Sequence, residues 1–597
     1  MHNSFCVRKS VFAPNFTADN FCSAKGITIM KNSLSTGKLN FPWIFLLIGI
    51  YLITGLFNLD RLPIAWNDEI QNLDPALVWH HTGKYCSPLW PNPGAESKFL
   101  SYPPLLEAWH CLWLYFGQSA WIVRLPFLIF HLITALIIYR LACQLLSAPS
   151  SNQKQSGPYS HKIIEQLALL ITALFLFDKS TGEIARSLRV ETPVMLLLAM
   201  FLLTSRKLLH QCKFYIPLLL GLYLGSLAIA HLYTWPLVFI ATALIFNHFI
   251  HYQKQSSGLH AFAFLLGLAT PFTLFWFAVK PEWHDLTTQL FMQAEDHSGS
   301  SLGSNLYGFF IGRFVPYCIE QPYTFLLHLL YWFAAFRLLI LFYDPKPNLW
   351  STFFKAKKKY VFNPFHSTLL IPILYLSFAI PTAIFLTPQH RYYPVQHLLG
   401  LLVIAVYLQN FKPQIPWNPL NHWLTPFKPK KSASQKIKYL NSITPWISLI
   451  FIISLLTPWT IRHSVAILQR NQRNPNVPIA FLNKNLNSLP AGEILGEPIA
   501  NYWLAQSPNP QNWIYGFEFY PQHFPFNPKK PRYFLSRTTP RQLPFISVQD
   551  SLFIKPQFNF TDKMGHTYHG LYLYKVQNED AWKILTSPAI LKITSGH

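Results

Sequence analysis

Trp66-Asn67-Asp68-Glu69, followed by Tyr102-Pro103-Pro104-Leu105 and then Arg124-Leu125-Pro126, marks the stretch of this chain whose reading decides the fold. It lies between two apolar runs of membrane length, Phe41 to Phe57 and Trp121 to Leu146. A plain connection between membrane helices needs only a few residues. This one, residues 58–119, gathers acids, paired prolines and amphipathic segments. A connection of that length and chemistry is a working surface, and we read it as an active-site loop.

The rest of the chain supports a membrane setting. Of 597 residues, 51% are hydrophobic, 16% aromatic and only 12% charged, roughly half the charge of a typical soluble domain. The apolar residues come in blocks near 20 long, the length that crosses about 30 Å of hydrocarbon. Further spans are expected at Ile163 to Phe177, Val190 to Leu203, Phe214 to Ala230, Leu232 to Ile250 and Ala261 to Val279. Others follow at Tyr323 to Phe342, Thr368 to Leu386, Tyr393 to Leu408 and Ile443 to Ile461, making about eleven. The expected fold is therefore mainly α: a polytopic membrane domain over residues 41–461, with amphipathic juxtamembrane helices in its first external loop.

Charge sets the orientation. Lys25, Lys31 and Lys38 precede the first span, and alternate loops carry Lys154 and Lys162, Arg206, Lys207 and Lys213, Lys355 to Lys359, and Lys428 to Lys438. Basic loops stay cytoplasmic. Acids collect on the other side: Asp60, Asp68, Glu69, Asp74, Glu96 and Glu107 in the first loop, and Glu282, Asp285, Glu295 and Asp296 in residues 280–322. The two signals agree, placing the amino terminus in the cytoplasm of a plasma (inner) membrane and the tail outside. The net charge of +24 is thus topological and gives no reason to expect nucleic acid, which needs a basic stripe interleaved with exposed aromatics.

Residues 1–40 read as a cytoplasmic leader, and the first apolar run as an uncleaved signal anchor, since it lacks a small-residue cleavage site. From residue 462 to 597 the composition shifts to Pro, Asn and Gln with short apolar runs such as Arg532 to Leu535, Phe545 to Val548 and Gly570 to Val576. That is the pattern of a small external α/β domain. The seven cysteines show no ligand spacing; only Cys86, Cys111 and Cys318 fall outside, where a disulfide persists.

Within the first loop, Asn67 is a favourable N-cap, and Ile70, Leu73 and Leu77 share one helical face. Leu105 to Phe116 is apolar nearly all round and carries Trp109, Trp113 and Tyr115, as a helix at the membrane boundary does. Acids in a first turn complement the helix dipole, which is the plain use of Asp68 and Glu69. Their company argues for more.

Trp-x-Asp-Glu, Gly83, Tyr-Pro-Pro-Leu, Phe116-Gly117 and Arg-Leu-Pro, in that order on one side of a multispanning chain, resemble the integral-membrane glycosyltransferases of GT-C architecture that use polyprenyl-phosphate sugars. That group includes protein O-mannosyltransferases and the lipid A aminoarabinose transferase. The similarity is concentrated in Asp60 to Pro126, is weaker at Ile184 to Pro193 and Gln389 to Pro394, and is not seen in the tail. The resemblance implies a donor site for a lipid-linked sugar that opens sideways to the membrane, with Asp68 as the principal acidic residue and Glu69 as its companion. Aminoarabinose enzymes carry Lys before the paired prolines; here Tyr102 stands there, which argues against that substrate.

Chemistry points to partners for these acids. Moving a sugar off a phosphate carrier passes through an oxocarbenium-like state and leaves negative charge on the phosphate, so cations must face it. Arg186, Arg189 and Arg391 sit at external ends of spans, and a guanidinium matches phosphate with two parallel hydrogen bonds. Anchoring helix ends at headgroups is their plainer use. Arg124, before Leu-Pro, reads as structural. Tyr102 and Lys98 are candidates for positioning the substrate, with Pro103 and Pro104 stiffening the segment that presents Tyr102. No cofactor is required; a divalent metal would find donors at His284, Asp285 and His297, residues that serve equally as solvated loop positions. The acceptor would be a glycan, lipid or protein outside the cytoplasm. The competing class is a transporter or lipid flippase, whose mark is ionisable groups inside the spans.

Overall fold

Apolar blocks that cannot expose backbone polar groups to lipid must fold as helices, and they do. The computed structural model describes residues 41–61, 67–83, 85, 104–147, 161–208, 213–252, 257–279, 283, 284, 286, 287, 322–342, 367–385, 393–410 and 460–470. It also describes residues 473, 474, 476, 480 and 484, and the strand residues given below. The chain divides into two compact units, residues 1–50 and 51–597. The described part of the first is the opening of α1 (Phe41–Leu56), whose last turns belong to the second.

The segment after α1 supplies α2 (Asn67–Thr82) and α3 (Pro104–Leu114). Then come α4 (Ala120–Ser147), α5 (His161–Phe177), the short α6 (Lys179–Ala185), α7 (Glu191–Leu208) and α8 (Tyr215–Ala230). A 3-10 turn, Leu232–Thr234, leads into α9 (Trp235–Tyr252), followed by α10 (Ser257–Val279), α11 (Pro322–Phe342), α12 (Ser367–Phe385) and α13 (Tyr393–Asn410). Among the described residues, α1, α4, α5 and α7 to α13 coincide with the expected spans up to residue 408. The last expected span, up to residue 459, lies outside the described residues. Among the described residues, α4 and residues 257–277 of α10 are by length and composition the helices that suffice to cross a bilayer, and shorter apolar helices accompany them.

Helix α13 is the axis of the domain: Pro394 to Val403 are buried without interruption, and it packs against α4, α11 and α12. The outer helices turn large apolar side chains outward instead. On α10, Phe262, Leu274 and Phe277 are each at least 60% exposed, and on α9 Phe239 is 62% exposed. Faces of that kind belong in hydrocarbon.

Helices α8 and α10 touch backbone to backbone. A Cβ on Gly221 would lie 2.0 Å from the Phe264 carbonyl oxygen, and one on Gly267 would lie 2.1 Å from that of Leu218. Gly221 and Gly225 stand four apart on the same face, the spacing that lets membrane helices approach closely.

Five strands follow: β1 (Ile494–Gly496), β2 (Tyr515–Gly516), β3 (Tyr533–Ser536), β4 (Ser547–Phe553) and β5 (Gly570–Lys575), in the order β2-β1-β3-β5-β4. The first three pair in parallel, and β5 runs antiparallel to both β3 and β4 with a register shift between Val548 and Asp550. Each parallel pair needs a crossover connection. Cys111 and Cys143 are free thiols, and Cys86 and Cys318 lie outside the described residues.

Candidate functional site

Helix α2 does not lie on one apolar face. Asn72 to Val78 are all buried, Leu73 and Leu77 among them as expected, but with Asn72 and Asp74 on the faces between. It ends at Gly83, whose φ of +71° is the left-handed conformation that closes helices, with its N–H 2.9 Å from the Trp79 carbonyl oxygen.

Helix α3 is inverted relative to a soluble helix. Glu107, His110 and Leu114 are buried, while Leu112 is 62% exposed and Tyr115 and Phe116, just past its end, are more than 70% exposed. A polar inner face and an aromatic outer face suit a helix at the headgroup boundary. Burial pushes the Glu107 carboxyl up to about 8, and burial holds His110 down to about 3 against the pull of the Asn72 backbone. At neutral pH both are uncharged, the form in which such groups tolerate burial.

Glu69 anchors the start of α2. Its carboxylate accepts Arg124 Nε–H and Nη2–H, both at 2.7 Å, and Arg124 Nη1–H reaches the Leu59 carbonyl at 2.8 Å. Both side chains are fully buried. A two-pronged pair with further hydrogen bonds is the arrangement in which a buried ion pair offsets its desolvation. The pair thus holds the first turn of α2 to the start of α4. Asp68, in that first turn, is placed by its backbone in α2, and its side chain lies outside the described residues.

Arg186 closes the other side. Its Nη1–H groups bond to the carbonyls of Thr54 (2.6 Å) and Gly55 (2.8 Å), and Nη2–H bonds to that of Phe57 (2.8 Å). These are carbonyls at the C-terminal end of α1, where the helix dipole welcomes a cation. Burial, aided by the charges of Arg124 and Arg462, pulls its guanidinium down to about 9, so it stays protonated at neutral pH. The space beside it, lined by Tyr51, Thr54, Leu128, Phe177, Gly182 and others, has no room for a water.

Between α5 and α7 the chain is stitched tightly. Asp178 caps α6 by accepting Ser180 N–H (2.9 Å) and Thr181 N–H (3.3 Å), and Thr181 donates its hydroxyl to the Phe175 carbonyl at 2.6 Å. Asn72 of α2 donates to the Leu188 carbonyl at 2.9 Å, joining α2 to the segment between α6 and α7. Arg189 meets Glu191 through Nε and Nη2 at 3.2 and 2.9 Å, and both are buried. Arg462, in a helix over residues 460–468, pairs with Glu183 of α6.

The structure therefore brings Glu69, Arg186 and Arg189 into one framework of α2, α4 and α6, with Arg124, Asn72 and Asp178 as members that the sequence reading either called structural or passed over. The motif Asp178-Lys-Ser180-Thr181 directly after an apolar run is a capping signal that would have marked the last of these. Tyr102, Lys98, Arg391, Asp285 and His297 lie outside the described residues. His284 is exposed, and among the described residues no three His, Cys, Asp or Glu side chains gather in a metal-binding group.

No family model matches the chain, and no curated protein matches it. Solved structures similar to it include two of ArnT from Cupriavidus metallidurans, one bound to undecaprenyl phosphate and one in the apo state. Each is 12% identical; they cover 90% and 89% of this chain and 98% of their own, with TM-scores of 0.49 and 0.48.

Proposed function

We propose that the protein is a membrane glycosyltransferase that moves a monosaccharide from a polyprenyl phosphate to an acceptor outside the cytoplasm. The observation that carries this reading is the Glu69–Arg124 pair: a buried two-pronged ion pair fixes the helical turn that bears Asp68, within the loop whose motif order suggested the family. In this reading the acceptor hydroxyl oxygen attacks the anomeric carbon, the bond from that carbon to the phosphate oxygen breaks, and its electron pair stays on the phosphate. The hydroxyl proton passes to Asp68. A carboxylate at a helix N-terminus is a weak base, which is enough when the proton leaves late, after the sugar carbon has become electron-poor. Inversion follows if the carrier sugar is β-linked.

Arg189 and Arg391 are assigned to the departing phosphate. Arg186, donating to three carbonyl oxygens, supports the loop that presents them. Tyr102 and Lys98 are assigned to the substrate, residues 1–40 to a cytoplasmic leader and residues 462–597 to an external α/β domain. A divalent metal at His284, Asp285 and His297 would draw on one exposed imidazole and two residues outside the described set.

The test is turnover. Purified protein in lipid nanodiscs, given polyprenyl-phosphate sugars, should release polyprenyl phosphate with no gradient present, and Asp68→Asn should abolish release while the protein remains folded and inserted. Normal turnover by Asp68→Asn rejects the assigned base. One observation favours the transporter reading: His131, His328 and His397 are buried inside α4, α11 and α13. If wild-type protein consumes no lipid-linked sugar but moves protons or lipid across vesicles, that reading replaces the enzyme.

A further inference from the structure

Asp178 is 1% exposed, at the point where α5 ends and α6 begins. Beyond the two backbone N–H groups, its carboxylate accepts the Ser180 hydroxyl. His131 of α4, His328 of α11 and His397 of α13 are buried in the same bundle. These histidines are themselves fixed. His397 Nε2–H reaches the Leu174 carbonyl at 3.3 Å, leaving Nδ1 to accept the Tyr331 hydroxyl at 3.0 Å, and His131 Nδ1 lies 2.6 Å from the Tyr51 hydroxyl. Burial raises the Asp178 carboxyl, but its electrostatic surroundings, with the Ser180 and Thr181 hydrogen bonds among them, outweigh it, so it sits below the usual carboxylate range and is ionised. Ionised groups this deep in a helical bundle are kept for a use.

The chain that leaves Asp178 shows the use. Seven residues of α6 lead to Arg186 on the end of α1, then to Leu188, whose carbonyl holds Asn72 of α2, then to Arg189 and Glu191. One carboxylate therefore sets where α6 starts, and with it the register of the whole loop. We propose that Asp178 is a positioning residue, whose carboxylate, bonded to Ser180 and Thr181, fixes α6 and so presents the Arg186–Glu191 loop to the lipid-linked donor. The part of this concerning the donor rests on the glycosyltransferase reading above.

The test uses full-length protein in nanodiscs, as wild type, Asp178→Asn and Asp178→Ala, with two readouts. Asn retains an N-cap oxygen without the charge, and Ala removes both. In Asp178→Ala, amide hydrogen exchange over residues 179–191 should accelerate at least tenfold while α4 and α13 exchange as in wild type; Asp178→Asn should show a smaller acceleration. For polyprenyl-phosphate sugar, KM should rise about tenfold in Asp178→Ala with kcat within about threefold, and Asp178→Asn should recover part of that loss. Exchange that is unchanged, or that rises equally over the whole domain, overturns the positioning role. Local loosening with an unchanged KM overturns the link to the donor. If wild-type protein turns over no lipid-linked sugar, the function reading fails, and the exchange arm still decides whether Asp178 holds the loop.

Discussion

Replacing Glu107 by Gln should stabilise the protein at neutral pH, and should do so by an amount set by pH. Glu107 is 1% exposed, its Oε2 has no hydrogen-bond partner, and burial raises its carboxyl from an ordinary 4.5 to about 8. The folded protein therefore binds a proton that the unfolded chain has released. Stability is full below 4.5 and is lost as pH rises, by about 1.4 kcal/mol per pH unit, until the folded carboxyl itself ionises near 8. At pH 7 the loss amounts to about 3 kcal/mol. Gln keeps the shape without the ionisation, so Glu107→Gln and wild type should unfold alike at pH 4.5 and diverge progressively towards pH 8, with the mutant the more stable. Thermal unfolding of the two proteins in detergent, measured at half-unit steps of pH, gives the difference curve directly. A flat difference across that range would refute the burial argument, and a mutant destabilised everywhere would show that the carboxyl makes contacts that Gln does not reproduce.

Two further substitutions probe the framework. Glu69→Gln leaves Arg124 buried with its charge uncompensated and should destabilise the domain by about 3–5 kcal/mol, most of it recovered when Arg124 is replaced as well; a double-mutant cycle of unfolding midpoints reads this. Gly221→Leu must push α8 off α10, since even a Cβ would lie 2.0 Å from the Phe264 carbonyl oxygen, and should cost more than about 2 kcal/mol in detergent stability, whereas Gly258→Ala, with open space around it, should be nearly neutral.

The helices were legible because hydrocarbon leaves a chain no alternative to them, so apolar length alone finds α4, α7 and α10 to within a few residues. Partnerships were not legible. Glu69 read as a catalytic companion and Arg124 as structural; that they form one ion pair depends on two segments 55 residues apart meeting at the end of a span. Arg186 shows the same limit: its type suits phosphate and carbonyl alike, and only geometry shows it on three carbonyls. The apolar character of α3 was visible, but not that its polar residues face inward, because a periodicity gives a face without saying what lies against it. In the tail, the run at Gly570 matched β5 closely, while β4 extends beyond the expected Phe545 to Val548, through Asp550 and Ser551, whose polarity hid the strand.

The clasp of Arg186 on the end of α1 has a consequence for biogenesis. The guanidinium that covers the Gly55 carbonyl lies 131 positions further along the chain. At about 5–20 residues per second, roughly 7–26 s pass between synthesis of the first helix and arrival of its cover. Through that interval only water can satisfy those carbonyls, so the emerging helix must keep its tip in the aqueous layer, and the nascent protein holds its depth in the bilayer before the clasp exists to enforce it.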